Sequence, residues 1–350
     1  MMSQNSRLNR RSLMGGAAAL VGATALPGGL RAQENKRIVI GTWGGDYARL
    51  LAKNIETPLL TAKGFELVQD QASDAPRRAK LIAEKRLPRG TSDVQALSAV
   101  NVAEMVAQGT LEKIDYSQIP NAANLLPVLK SEYSIPHIYS GMVILYNPKL
   151  IAKAPTSFTD LFDPANMGKV GVIDIQYIYT MLAASLAAGG TVSNFDPGKP
   201  KLMELKAAGV KVYPTNEALA QALKTEEIGM CIMWKARAVQ WQNAGIPVQT
   251  VAPKEGVLLF VSEFAIPRNA QNKAGAYAYL NAALDPAPQA AFAVDFGYNA
   301  TVSNAVVAAD LDARIGFTPE ERKRLLNPDN DYITKNDATL KEWWDKSFKG

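Results

Sequence analysis

The chain has 350 residues, 47% of them hydrophobic and 20% charged, with a formal charge of +5, one histidine and one cysteine. Residues 1–32 hold four Arg and no acid, so the 318 that follow carry 34 basic against 33 acidic side chains. That balance removes the basic footprint of a nucleic-acid binder, and no Lys/Arg stripe with interleaved aromatics replaces it. Such a length exceeds what one core usually organises and predicts two domains.

The first stretch reads as an address. Arg7, Arg10 and Arg11 precede an apolar run over 13–26, and Leu30-Arg31-Ala32 offers a small residue for cleavage. Asn9-Arg10-Arg11-Ser12-Leu13-Met14 has the twin-arginine form, which implies export after folding. The run is shorter than the ~20 residues of a membrane helix. An export signal over 1–32 and a periplasmic location are therefore expected, in preference to an uncleaved anchor. No later segment is apolar enough to span a bilayer.

Beyond the leader, Ile38-Val39-Ile40 predicts a strand ending at Gly41-Thr42-Trp43-Gly44-Gly45. Tyr47, Leu50, Leu51, Asn54 and Ile55 then recur at helical spacing, with Asp46 placed to cap the helix. A strand is expected over 65–68, a helix over 75–86, a strand over 93–97 and a helix that Gly109 ends. Strands over 170–173, 212–213, 228–234 and 248–251 continue the series, each next to a helix. This alternation builds parallel sheets covered on both faces. Cys231, in the apolar run Gly229-Met230-Cys231-Ile232-Met233, reads as a small buried hydrophobe.

Two places break the rhythm. Ser134-Ile135-Pro136-His137-Ile138 and the run over 142–146 are extended with no helix between them, and 257–266 is one long apolar run. Long strands without a covering helix are expected to cross between domains. Two crossings give a first domain of 35–138 plus 264–315 and a second of 139–263. The C-terminal helices, through residue 350 and with Trp343 and Trp344, are expected to pack on the second.

Most catalytic groups are missing. One histidine, His137, excludes nearly every Ser-His or Cys-His arrangement and any multi-His metal site. There is no Gly-x-Ser-x-Gly elbow, P-loop or Cys-x-x-Cys. Asp329-Asn330-Asp331 hints at a calcium loop, but Ile333 and Thr334 stand where a ligand and a glycine are needed. A binding protein without cofactor or metal is expected, and not an enzyme.

Open α/β sheets hold ligands at the carboxyl ends of strands, beside helix N-termini. Trp43 stands at such an end, followed by Gly44 and Gly45, which let a ligand approach the backbone, and by Asp46 and Tyr47. Ser98 follows the strand over 93–97. Trp234 ends another apolar strand, with Arg237 in the first turn of the next helix. A cation there opposes the helix dipole, which makes sense if it faces an anion.

Several segments together resemble the spermidine/putrescine-binding proteins of ABC importers. They are Gly245-Ile246-Pro247-Val248, Ala252-Pro253-Lys254-Glu255-Gly256 and Ala265-Ile266-Pro267-Arg268-Asn269-Ala270-Gln271-Asn272-Lys273. Ile135-Pro136, Met233-Trp234 and Phe296-Gly297-Tyr298 add to them. The resemblance implies a two-lobed periplasmic-binding-protein-like fold, two open α/β sheets joined by a two-strand hinge with the ligand in the interlobe cleft. It also implies closure around the ligand, delivery to an ABC permease in the cytoplasmic membrane, and a monomer.

Carried over residue by residue, the resemblance implies that Trp43 and Trp234 sandwich the ligand's carbon chain, with Phe260 replacing a further Trp. The acids depart. Ser262 stands where polyamine binders place an Asp, and its neighbour Glu263 points to the other face of a strand. Around Asp174-Ile175-Gln176-Tyr177-Ile178 the family's acid pair is reduced to Asp174, with Tyr177 close by. A cleft short of carboxylates that adds Arg237 suits a small carboxylate bearing an amine: an ω-amino acid, an amino-acid derivative or an opine-like compound. Arg237 and the Gly44-Gly45 amides would hold the carboxylate, and Asp46 or Glu263 would balance the amine. Polyamine binding is the alternative, and a ligand-presenting sensor subunit or an enzyme on this scaffold are further ones.

Overall fold

The computed structural model describes residues 36–350, and the export signal expected over 1–32 lies outside them. Eleven strands are described: β1 Arg37–Thr42, β2 Glu66–Gln71, β3 Val94–Ser98, β4 Ser134–Tyr146, β5 Gly171–Ile173, β6 Lys211–Tyr213, β7 Met230–Trp234, β8 Gln249–Val251, β9 Val257–Ala265, β10 Asn299–Ala300 and β11 Leu325–Leu326. Helices separate most of them. Among the described residues no helix is long and apolar enough to cross a membrane.

The strand expected in two pieces around 134–147 is one. β4 runs unbroken for 13 residues, every one buried. Gly141 sits within it because a Cβ there would lie 2.2 Å from Val257 Cγ1 and 2.8 Å from the Phe317 ring. Glycine at this position reflects close approach and not a turn. β4 and β9 pair antiparallel from Ser134↔Ala265 to Met142↔Leu258, with one bulge between Pro136 and Ile138.

These two strands fuse the halves of the molecule. At one end β9 pairs with β3, which leads to β1 and β2, all three parallel, while β10 flanks β4. At the other end β4 pairs with β7 and β8, and β9 with β11. The two open sheets expected from the sequence are therefore continuous through β4 and β9, with β5 and β6 as a separate parallel pair.

Two large apolar clusters lie around this crossing. One gathers Ile38, Ile40, Leu50, Leu51, Phe264, Leu280 and Phe292. The other gathers Ile144, Phe158, Met181, Leu182, Phe195, Met230 and Ile232. The C-terminal helix Asn330–Trp343 and the turns after it add Ile333, Leu340, Trp344 and Phe348 to the second cluster, against which Ala99 and Val100 also pack. Cys231 is fully buried in β7, and burial pushes its thiol pKa up. Asp329 caps the C-terminal helix by accepting the Tyr332 amide at 2.9 Å.

Candidate functional site

A cavity of about 360 Å³ opens where β1, β4 and β9 meet two helix ends. Trp43, Gly44, Asp46 and Tyr47 reach it from the junction of β1 with the helix Gly45–Leu51. Phe260 and Ser262 come from β9, and their spacing of two puts both on one face of the strand. Ile138 comes from β4. Arg237 stands in the first turn of the helix Lys235–Asn243.

Phe296 and Tyr298 complete the wall, at the end of the helix Pro286–Phe296. The sequence reading used these two only as part of a family motif. Alternating apolar periodicity carries no sign that a helix C-terminus turns its rings toward a distant strand.

The walls are mostly rings in contact. Trp43 meets Tyr47 edge-on with centroids 5.1 Å apart, Tyr298 lies 5.0 Å from Phe296, and Phe260 lies 6.1 Å from Tyr298. Such pairs add stabilisation beyond their burial, ~0.5–1.5 kcal/mol each. Trp234 does not line the cavity. It is 7% exposed and backs Phe260 at 4.8 Å, braced by Tyr179 edge-on at 4.5 Å.

Behind Trp43 lies a residue the sequence reading missed. The Arg77 guanidinium sits 4.8 Å from the Trp43 ring centroid and is almost fully buried. It donates to the Gly41, Ala72 and Ala96 carbonyls and to Asp74, tying β1 and β3 to the segment after β2. Burial lowers its pKa, and nearby Asp74 opposes that.

The expected cap at Asp46 is not made. The N-cap is Gly44, without a side-chain bond, and Asp46 lies inside the first turn, exposed and paired with Arg49 at 3.0 Å. Gly45 adopts φ +66, a backbone region open to glycine, and does not line the cavity. Gly44 does.

Arg237 is held loosely. Among the described residues its closest partners are Gln240 Oε1 at 3.3 Å and Glu217 at 4.0 Å, and its buried Nε has no acceptor there. Lys235, two residues earlier, turns away to the Gly316 carbonyl and the Phe317 ring.

Tyr47 and Ser262 share a hydrogen bond of 3.2 Å, and the Tyr47 hydroxyl lies 2.9 Å from His137 Nδ1. His137 is the extra residue of the β4 bulge, which frees its side chain to reach Tyr47. Burial drives its pKa from 6.5 to about 3, so the ring is neutral.

Four other predicted residues lie elsewhere. Ser98 pairs with Ser262 across β3 and β9 but caps the helix Ala99–Ala107 through the Asn101 amide. Asp174 accepts Trp344 Nε1 and Lys349 Nζ, both at 2.8 Å; burial raises its pKa, but these partners pull it below the usual range. Tyr177 donates to Asp337. Both are claimed by the C-terminal segment and not by the cavity, because Trp344 and Phe348 bury against this part of the second cluster. Glu263 faces the far side of β9, toward a second cavity of about 470 Å³. There Ser134 donates to it at 2.7 Å, and burial raises its carboxyl pKa to about 7.

Comparison with known proteins bears on the family and the fold. The chain is 29% identical to the spermidine/putrescine-binding periplasmic protein of Escherichia coli over 70% of its own length and 71% of that protein. It is 26% identical to the putrescine-binding periplasmic protein SpuD of Pseudomonas aeruginosa, over 95% of this chain and 97% of that one. The crystal structure of an ABC transporter substrate-binding protein from Bradyrhizobium japonicum shares the fold, with a TM-score of 0.77 at 24% identity, covering 90% of this chain and 99% of that one. The family model for bacterial extracellular solute-binding proteins matches residues 61–317. By that match, across most of its length, the chain belongs to the bacterial extracellular solute-binding proteins.

Proposed function

We propose that this chain is the solute-binding component of an ABC importer, exported by the twin-arginine route and working in the periplasm as a monomer. Its lobes are 35–138 with 264–315 and 139–263 with 316–350, and β4 and β9 are the hinge. A ligand in the cavity meets Trp43, Asp46 and Tyr47 on the first lobe and Arg237 on the second. Because it touches both lobes, occupancy favours the closed form, which a permease can read.

The ligand is a small carboxylate carrying an amine: an ω-amino acid, an amino-acid derivative or an opine-like compound. One observation supports this most. Among the described residues, Arg237 Nε is buried without an acceptor at a cavity whose other charged wall residue is Asp46. A buried donor left unpaired costs ~1–3 kcal/mol, and a carboxylate accepts two parallel bonds from a guanidinium. A di- or triammonium would need a carboxylate or a ring face for each charge. The rings are present, but a second acid is not among the wall residues.

The relatives that bind spermidine and putrescine favour a second reading, a polyamine. A thermal-shift panel on ligand-stripped protein separates the two. A ligand at 100 times its Kd adds ~2.7 kcal/mol, enough for a shift of several degrees. The expected result is a shift with 5-aminopentanoate or an opine and none with putrescine or spermidine. Arg237→Ala should abolish it and Lys235→Ala should keep it. A shift with polyamines alone, or one that survives Arg237→Ala, would overturn the amino-carboxylate reading.

A further inference from the structure

The hydroxyl pair in the cavity wall has a direction, and the chain's single histidine sets it. His137 is fully buried, with its Nδ1 2.9 Å from the Tyr47 hydroxyl and its Nε2 without a hydrogen-bond partner among the described residues. Phe264 and Phe292 enclose the ring, with centroids 4.7 and 4.5 Å away. Ser262 Oγ lies 3.2 Å from the same Tyr47 oxygen, its one hydrogen bond among the described residues, and Ser262 lines the cavity.

A neutral imidazole carries one N–H and one lone pair, so two arrangements exist. In one, Nδ1–H donates to the Tyr47 oxygen, Tyr47 donates to Ser262, and the Ser262 proton is free to point into the cavity. In the other, Tyr47 donates to Nδ1, Ser262 donates to Tyr47, and Ser262 presents lone pairs to the cavity. The second pairs the better donor with the better acceptor, since a phenol is far more acidic than an imidazole N–H and an imidazole nitrogen far more basic than a phenol oxygen. It also leaves Nε2–H, and not a bare lone pair, among aromatic rings that can accept it weakly.

We propose that His137 is a positioning residue that locks Tyr47 and Ser262 as a one-way relay, so that Ser262 Oγ meets the ligand as an acceptor and selects an ammonium. The proposal rests on the cavity being the ligand site. It adds that the amine end sits at Ser262 on β9 while the carboxylate meets Arg237. Ser262 supplies an acceptor without a charge, which suits a zwitterion that already carries its own anion.

Imidazole ¹⁵N NMR of the ligand-free protein at pH 7 tests the relay directly, because one histidine gives one unambiguous spin system. The expected spectrum is that of a neutral ring with the proton on Nε2. A proton on Nδ1, or a cationic ring, overturns the proposal whatever the ligand proves to be.

A second arm uses 5-aminopentanoate as the probe in calorimetry. His137→Phe, which removes the acceptor, should weaken binding about tenfold, the loss of one hydrogen bond of ~1.4 kcal/mol. His137→Asn, whose Oδ1 can replace Nδ1, should stay within about threefold. An Asn variant as weak as the Phe variant overturns the relay. An Nε2–H spectrum with no probe binding would instead count against the proposed ligand and leave the relay standing.

Discussion

Ser262 and Glu263 are neighbours on one strand, both nearly fully buried, yet they belong to different chemistries. Ser262 faces the aromatic cavity and joins Tyr47 and His137. Glu263 faces the second cavity, takes one hydrogen bond from Ser134 and carries a carboxyl pKa raised to about 7 by burial. The period-2 geometry of a strand divides them, and β9 has a polar site on each side because it runs through the junction of the two halves. That an acid is buried next in sequence to a cavity-facing residue is no evidence that it serves the same cavity. Burial fixes the energetics of Glu263, and orientation fixes the role of Ser262.

The comparison breaks most visibly at Glu263→Gln. A carboxyl whose folded pKa lies above its unfolded value near 4.5 binds a proton that the unfolded chain releases. Its contribution is therefore complete below about pH 4.5 and is lost as the pH rises through about 7. Over that window the cost approaches ~3 kcal/mol. Glu263→Gln should match the parent at pH 4, exceed it by about that amount at pH 8, and leave ligand affinity unchanged. Denaturant unfolding across pH, with calorimetry at pH 7, checks both parts. Loss of binding would mean that the two faces are coupled.

His137 runs the other way. Its folded pKa near 3 lies below 6.5, so its contribution is complete above pH 6.5 and is lost as the pH falls toward 3. The two slopes oppose each other between pH 4.5 and 6.5. In Glu263→Gln the histidine slope should meet less opposition, Glu56 being another acid whose pKa burial raises, so stability should rise more steeply over that interval than in the parent. A profile no steeper than the parent's would contradict the raised carboxyl pKa of Glu263.

Smaller effects sharpen the cavity side. Phe260→Ala removes the ring between Trp234 and the cavity, and should cost ~2 kcal/mol of stability along with a tenfold or greater loss of affinity. An affinity that holds would show that the ligand does not reach β9. Ser262→Ala should lose ~1 kcal/mol of binding with the pH profile of stability intact, since Glu263 and the His137 ring remain as they are. The smallest effect is expected from Asp174→Asn. It loosens the Lys349 contact and should leave affinity within about twofold by calorimetry, because the residue lies outside the cavity wall.

Particular residues show how far the sequence could be read. β1, β3, β7 and β9 are visible as apolar runs, and the structure brings Trp43, Tyr47, Arg237, Phe260 and Ser262 from those runs and their ends to one cavity. Trp234, expected as a wall, lies one layer back behind Phe260, since ring-on-ring order depends on packing. The resemblance implies Asp174 and Tyr177 at the site, while the C-terminal segment claims both. Asp46 looked like a cap and is instead a first-turn acid paired with Arg49. Phe296, Tyr298 and Arg77 left no local signal, because each works through partners far away in the chain.

What the sequence determined by itself is set by local rules. Periodicity defines strands and helices, alternation assigns faces such as that of Ser262 against Glu263, and a single histidine excludes most catalytic arrangements. The tertiary structure decided everything that depends on which distant segments meet. Gly141 reads as a break in isolation and is a strand residue because Val257 and Phe317 crowd it. His137 reads as a lone polar residue and becomes the anchor of Tyr47 because a bulge in β4 turns it toward the Gly45–Leu51 helix. Contacts of this kind are made by packing at long range, and packing is settled only when the whole chain has closed around its core.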